Sequence, residues 1–305
     1  MKRRNIYASI VFPLITIILA GSAVWVAAQG PNGSPKTNSK IEYHNGPVMS
    51  GAQDVYLIWY GCWQDDCDSR GSSTTTGLVT DFVSNIGGSP YFQLNHLYPN
   101  SNGNSPTGAV FYAGSVFDRS YSHGNVLTEV DLQSILRKHI ESNALPQDPV
   151  GIYLVLTSAD IAADPSTGFC RAVNTPPLHG LSTVFGVAMK YGFIGNPARC
   201  PTLEAPQFVA PDGTRLPTAN GDFAGDSIAT KIAHVLNTTV TNPTGSGWYD
   251  RYGLANADKC QGTFGQTYAT ENGARANIRL GYRHYLIGQN WVNDRRGRCG
   301  MQLGE

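Results

Sequence analysis

The sequence predicts an α/β fold: one layered domain with a mixed central sheet flanked by helices and stapled by disulfides. Three observations predict it. Strand-like and helix-like runs alternate along the chain, which builds a sheet with helices packed on it. Residues 151–157 (GIYLVLT) form a continuous apolar run, as a strand buried on both faces requires. Six cysteines stand behind an N-terminal export signal, so oxidised pairs are expected.

The chain has 305 residues, zero formal charge, 41% hydrophobic and 14% charged residues. That length and apolar content suit a single sizeable core. The neutral charge leaves no electrostatic footprint for nucleic acid. Few charges and 34 glycines suit a loop-rich extracellular protein. Residues 1–28 read as a signal peptide: Lys2, Arg3 and Arg4 precede an apolar run, and Val26-Ala27-Ala28 offers small residues for cleavage. Retained, the same run is long enough to serve as a signal anchor. Once it is removed, no membrane association is expected. Residues 29–40 form a Gly/Pro/Ser/Asn-rich leader, with a glycosylation sequon at Asn32. No linker divides residues 41–305, which are read as one domain.

Taken in order, residues 54–61 (DVYLIWYG) are β-rich and predict a buried first strand. Residues 76–86 carry Leu78, Phe82 and Val83 at helical spacing, closed by Gly87-Gly88. Residues 109–117 predict a second strand. Residues 128–142 predict a helix with Val130, Leu132, Ile135, Leu136, His139 and Ile140 along one side. Residues 151–157 are the central strand. Residues 184–189 and 191–194 predict two strands or a tight hairpin. Residues 196–225 show little regular pattern, and 277–291 suit terminal strands.

The chain is organised around residues 226–260. Ile228, Ile232, Val235 and Thr239 recur at helical spacing, and Gly225-Asp226-Ser227 suggests the N-cap. Pro243 stops the helix. His234 and Thr238 stand four apart, where a zinc helix of the form H-E-x-x-H carries its ligands. Val235 replaces the general base, and Thr238 replaces the second ligand. His234 with Asp250 and Asp258 is the one metal set on offer, and zinc is the metal it would take. The reading that asks less is a histidine near a helix C-terminus, favoured by the dipole. No cofactor is called for. Asn237-Thr238-Thr239 is a second formal sequon, on a helix beside the core stripe.

Elsewhere, Ser158 and Asp160 follow the central strand, either as nucleophile and partner or as turn-capping residues, with the turn preferred. Cys170 and His179 could form a thiol–imidazole pair, though an even cysteine count favours a disulfide. Asp54, Asp65, Asp66 and Asp68 suggest calcium, but the loop lacks the residue order of an EF-hand and reads better as solvated acid. Cys62, Cys67, Cys170, Cys200, Cys260 and Cys299 allow 15 pairings, and spacing selects none.

An ordered set of runs resembles the EXORDIUM, or phosphate-induced protein, family. It comprises Tyr43-His44-Asn45-Gly46-Pro47, residues 55–61 (VYLIWYG), residues 155–160 (VLTSAD), Gly168-Phe169-Cys170, Gly195-Asn196, Cys200-Pro201, residues 209–213 (VAPDG), residues 240–243 (VTNP), Tyr249, Cys260, Phe264-Gly265 and Tyr285-Leu286. The resemblance covers about residues 41–299. It implies a secreted protein of the apoplast or cell wall, linked to growth and cell expansion, whose partner is a wall polysaccharide or an extracellular receptor. It implies no known reaction. Microbial members look as though they carry a fuller H-E-x-x-E helix before Thr-Asp-Pro. Here Val235, Thr238 and Asn242 stand at those acidic positions, so a non-catalytic protein is expected. The rivals are a degenerate secreted metallohydrolase and a carbohydrate-binding protein. Plant members resemble this chain at Cys170 and Cys200 but carry a further Cys after each. The joint loss of those partners implies Cys170–Cys200, with Cys62–Cys67 as an added local pair and Cys260–Cys299 as the third.

Overall fold

A computed structural model describes residues 40–63, 73–173 and 175–304. The export segment, Asn32, Asp65, Asp66, Cys67 and Asp68 lie outside the described residues.

The centre is a five-stranded sheet. Its strands are β1 (Gln53–Tyr60), β2 (Val110–Asp118), β3 (Ile152–Thr157), β4 (His179–Val184) and β5 (Val187–Ile194). They lie in the order β2-β1-β3-β5-β4; the first four are parallel, and β4 pairs antiparallel with β5. The sheet is therefore mixed. Helix α1 (Ser73–Ile86) follows β1, and α2 (Glu129–Glu141) follows β2. The long helix α3 (Phe223–Thr241) comes after β5.

Alternation along β1 assigns the faces, because successive side chains point to opposite sides. Val55, Leu57 and Trp59 pack with Leu78, Phe82 and Val83 of α1 and with Ile228, Ile232 and Val235 of α3. Tyr56, Ile58 and Tyr60 pack with Leu132, Ile135 and Ile140 of α2. β3 is buried at every residue, since it lies mid-sheet with helices on both faces.

Helix α2 begins with a capping box: Asp131 N–H donates to Thr128 Oγ1, and Thr128 N–H donates to Asp131 Oδ2. Val130 departs from the expected stripe; it is 69% exposed, because it stands in the first turn before the helix settles on the sheet. The expected break between residues 184–189 and 191–194 also shifts. A single hairpin turns at Phe185-Gly186, both with positive φ (46° and 78°), and β4 reaches back to His179. Two consecutive left-handed residues give the tight hairpin turn that matches strand twist.

Helix α3 starts three residues before the expected Asp226. Its cap is Asp222, whose Oδ1 accepts from Gly225 N–H (2.9 Å). Asp226 lies inside the first turn, buried, and accepts from the backbone N–H and side-chain amide of Asn220. The helix ends at Thr241, just before Pro243, with Asn242 as C-cap. It is buried nearly all round rather than along one stripe, because a C-terminal layer covers its far side. That layer includes α4 (Asn256–Lys259), β6 (Asn290–Val292) and β7 (Arg298–Gly300). Two disulfides, Cys170–Cys200 and Cys260–Cys299, have Cα separations of 5.7 and 5.5 Å, within normal bridge geometry. Among the described residues, no helix is long and apolar enough to cross a membrane.

Gly192 on β5 sets how closely α3 approaches the sheet. A Cβ there would lie 2.5 Å from Val235 Cγ1 and 3.0 Å from Leu154 Cδ2. Gly192→Ala is expected to destabilise the fold by about 1–3 kcal/mol through overpacking. Gly51→Ala, with nothing within 4 Å of its added methyl, should change stability by about 0.5 kcal/mol or less. Urea unfolding of the two variants beside wild type checks the contrast.

Candidate functional site

The switch-point crevice of an open parallel sheet, outside the carboxyl ends of its strands, is the first place to look for a ligand site. Here it is filled. Ser158, just past β3, is fully buried, and Gly61 comes so close that an added Cβ would overlap Ser158 Oγ at 2.1 Å. Ser158 Oγ donates to Asp160 Oδ1 (2.6 Å) and accepts from Cys62 N–H (3.1 Å). Asp160 also accepts from the Tyr121 hydroxyl (2.8 Å). The serine gives its proton to the turn, and among the described residues no imidazole is hydrogen-bonded to it. The turn reading of Ser158 and Asp160 fits this geometry, and the nucleophile reading does not.

A second cluster closes the end of β2. Lys138 Nζ lies 2.9 Å and His139 Nε2 3.3 Å from Asp118 Oδ2. Burial pushes the Asp118 carboxyl up, but His139, Lys138, Ser120 and Ser122 outweigh it and hold the carboxyl far below the usual range. This cluster ties α2 to the sheet.

Among the described residues, two hollows meet along the outer side of α3. One, of about 280 Å³, is bounded by Phe169, Pro176 and Phe193. The larger, about 510 Å³ and open to solvent, is bounded by Thr230, Lys231 and His234 of α3 and by segments near Gln207, Gln261 and Gln289. Glu204 and Lys231 form the ridge between them and line both. Lys231 Nζ lies 2.7 Å from Glu204 Oε2, with both side chains nearly buried. Glu204 Oε1 accepts from Cys170 N–H (2.9 Å), so the Cys170–Cys200 disulfide braces this ridge.

One turn along, His234 Nε2 lies 2.7 Å from Asp258 Oδ1. Asp258 Oδ2 accepts from Ala255 N–H (2.9 Å) at the start of α4. Burial raises the Asp258 carboxyl, but the hydrogen bond and charge of His234 and the Ala255 N–H outweigh it, so its pKa is lowered. His179, at the start of β4, is close enough to feel both partners. Burial lowers its pKa, Asp258 pulls it up and His234 pushes it down, and the net direction is down.

Of the expected metal set, the structure brings together His234 and Asp258. It does not bring in Asp250, whose Oδ2 lies 3.0 Å from Lys259 Nζ in a fully buried ion pair, with that ammonium 4.4 Å from the centre of the Trp291 ring. Among the described residues, no three His, Cys, Asp or Glu side chains converge at metal-ligand spacing. Nor does His234 stand at the helix end; seven residues of helix follow it, so the dipole explanation gives way to the Asp258 contact. Val235 is fully buried against Gly192. Thr238 Oγ1 donates back to the carbonyls of His234 and Val235 (both 3.1 Å).

Cys170 is bonded to Cys200 and is no partner for His179. Asp54 stands at the far end of β1 beside Asp148; burial raises its pKa, and so does the neighbouring carboxyl. Asn237 is fully buried, so its sequon has no route to solvent in the folded chain. Its side chain belongs to a network under the larger hollow. Asn95 and Asn290 donate to Asn237 Oδ1 (2.7 and 2.9 Å); Asn237 Nδ2 donates to the Tyr91 hydroxyl (3.0 Å). Asn256 donates to Asn95 Oδ1 (3.0 Å), and Tyr91 donates to Gly288 O (2.9 Å).

Sequence reasoning missed Glu204, Lys231 and this network. Lys231 carried a usable signal: a cation one turn before His234 on an apolar helix must find an anion once buried. The asparagines carried none, because Asn95 meets partners 142 to 195 residues away.

The family model described as Phosphate-induced protein 1 conserved region matches residues 41–278. Protein EXORDIUM-like 3 of Arabidopsis thaliana is 29% identical over 83% of this chain and 80% of its own length. Protein EXORDIUM-like 5 of the same plant is 30% identical over 68% of this chain and 59% of its own length. Protein PHOSPHATE-INDUCED 1 of Nicotiana tabacum is 26% identical over 74% of each chain. No solved structure matches the chain.

The His234–Asp258 contact has a pH signature. A carboxyl with a lowered folded pKa contributes stability that is present above its unfolded value, near 3.8, and is lost as pH falls through the folded value. Asp258→Asn is therefore expected to cost about 1.5–3 kcal/mol near neutrality, the scale of a charge-assisted hydrogen bond. The gap from wild type should close below about pH 3.8. Denaturant unfolding from pH 7 to pH 3 checks it.

Proposed function

We propose a function from one premise: this chain belongs to the phosphate-induced protein 1 family, whose model matches residues 41–278. It is a secreted protein of the extracellular matrix that works by binding rather than by turnover, with growth and cell expansion as the process it serves. Secretion is supported by the signal pattern of residues 1–28 and by two long-range disulfides, which persist in oxidising compartments. The relatives named EXORDIUM-like support the family role, and their names carry no reaction.

One observation carries the non-catalytic reading: the positions on α3 that would hold acids are spent on structure. Metal-assisted hydrolysis needs three protein ligands and a base for the bound water. Val235 fills the core opposite Gly192, Thr238 bonds its own helix, and His234 is engaged by Asp258. What remains accessible is the cleft beside Lys231 and His234, lined by residues that recognise rather than react.

Two measurements test the reading. N-terminal sequencing of the exported protein should begin at Gln29; a chain still starting at Met1 in the membrane fraction would mean an anchor. Metal analysis of protein purified without chelators, with a panel of peptide and glycoside substrates, should give sub-stoichiometric zinc and no hydrolysis. Stoichiometric zinc with activity abolished by His234→Ala would overturn it in favour of a metallohydrolase.

A further inference from the structure

The larger hollow and the network beneath it treat their amides differently. The buried side-chain amides of Asn95, Asn237, Asn256 and Asn290 are engaged by one another and by the backbone. By contrast, Gln207, Gln261 and Gln289 line this one hollow half-buried, and their side-chain amides make no hydrogen bond within the described residues. A half-buried amide without a partner leaves a donor pair and an acceptor available, and desolvating it without replacement is costly. Three such groups from three separate chain segments face the same space.

The charges around the hollow tell the complementary half. Each one is already matched: Lys231 with Glu204 at 2.7 Å, and His234 with Asp258 at 2.7 Å. Among the described residues lining the hollow, no unpaired cation waits for a phosphate or carboxylate, and no unpaired anion for an amine. The rest of the wall is mostly apolar and includes Tyr91, Leu203, Pro206 and the half-buried Phe264, with Gly262 and Gly288 where no side chain blocks approach. The Gln289 side chain passes close over Gly265, where a Cβ would stand 2.5 Å from Gln289 Nε2. The Cys260–Cys299 bridge anchors the segment carrying Gln261.

We propose that this hollow is a binding site for a neutral oligosaccharide, with the amides of Gln207, Gln261 and Gln289 pairing with sugar hydroxyls and Phe264 covering a ring face. A hydroxyl both donates and accepts, as an amide does, so the two classes satisfy each other without charge. An aromatic face takes the apolar C–H side of a sugar ring. The assignment rests on the non-catalytic reading above and names its ligand class.

The test is calorimetric titration of the secreted, full-length mature protein with neutral gluco-, xylo- and manno-oligosaccharides and with acidic oligogalacturonides. At least one neutral series is expected to bind. Gln261→Ala and Phe264→Ala should each weaken it about five- to tenfold, the scale of one lost hydrogen bond or ring contact; Gln261→Ala should leave the unfolding midpoint in place, whereas Phe264→Ala, which also loses packing against Phe208 and Leu286, is titrated well below its own midpoint. Phe111→Ala, an exposed aromatic on the sheet edge, should bind as wild type does. Binding of acidic sugars alone, binding lost in Phe111→Ala but kept in Gln261→Ala, or no binding at millimolar sugar would overturn the assignment and leave the non-catalytic reading standing. Release of shorter fragments from a bound neutral sugar would keep the assignment and overturn the non-catalytic reading instead.

Discussion

The structure depends on keeping four asparagines dry and fully paired. Asn95, Asn237, Asn256 and Asn290 come from the turn after α1, from α3, from α4 and from β6, and each is fully buried. A buried amide left without a partner costs about 1–3 kcal/mol, so each can be buried only if the others arrive. That condition locks the C-terminal layer onto α3 in one register, which greasy contact alone would not select. Ala257 N–H donates to Asn256 Oδ1, and Trp291 N–H donates to Asn290 Oδ1, so the network continues into the backbone of the layer it positions.

Above this network the cleft follows from the same constraint. Tyr91 reaches both: its hydroxyl joins Asn237 to the carbonyl of Gly288, and its ring borders the larger hollow. Once α3 is pinned from below, Lys231 and His234 have fixed directions, and their partners are delivered by the two disulfide-bound segments. Glu204 is oriented by Cys170 N–H, and Asp258 stands two residues before Cys260. Burial explains why both pairs form. A lone ammonium or carboxylate at such low exposure would lose its hydration without replacement, whereas two opposite charges in contact recover much of that loss.

The layered fold was legible in the sequence because its signals are local. The apolar run at residues 152–157 is a central strand, and Leu132, Ile135 and Ile140 at helical spacing form the buried face of α2. The helix around His234 was legible in its core residues but not in its start, because Asp222 and Asp226 are equally good caps in sequence. Only Thr75, which donates to Asp222 Oδ2 at 2.6 Å, and Asn220, which engages Asp226, separate the two roles. Of the candidate site, His234 and Asp258 were legible as polar residues in the right region. Asp250 was equally plausible on spacing, yet its neighbour in space is Lys259, nine residues on. Ion pairing is decided by the path of the loop, which spacing does not encode.

Asn237 shows how the same residue reads differently at each level. In sequence it opens an Asn-Thr-Thr sequon and suggests a glycan. On the helix it sits three residues from His234, near where an H-E-x-x-E pattern would place an acid. In space it points away from the cleft and beneath it, with Nδ2 held by Ala233 O and Tyr91 and Oδ1 held by two other asparagines. A helix used from below by a saturated amide network and from the sheet side by Val235 has its outer edge left for chemistry. On that edge stand Thr230, Lys231 and His234, each already hydrogen-bonded or paired. The groups still free to engage a ligand come from the loops facing the helix rather than from the helix itself. That division lets the fold keep its core packing while the side chains proposed for recognition sit on loops, Gln261 beside the Cys260–Cys299 bridge.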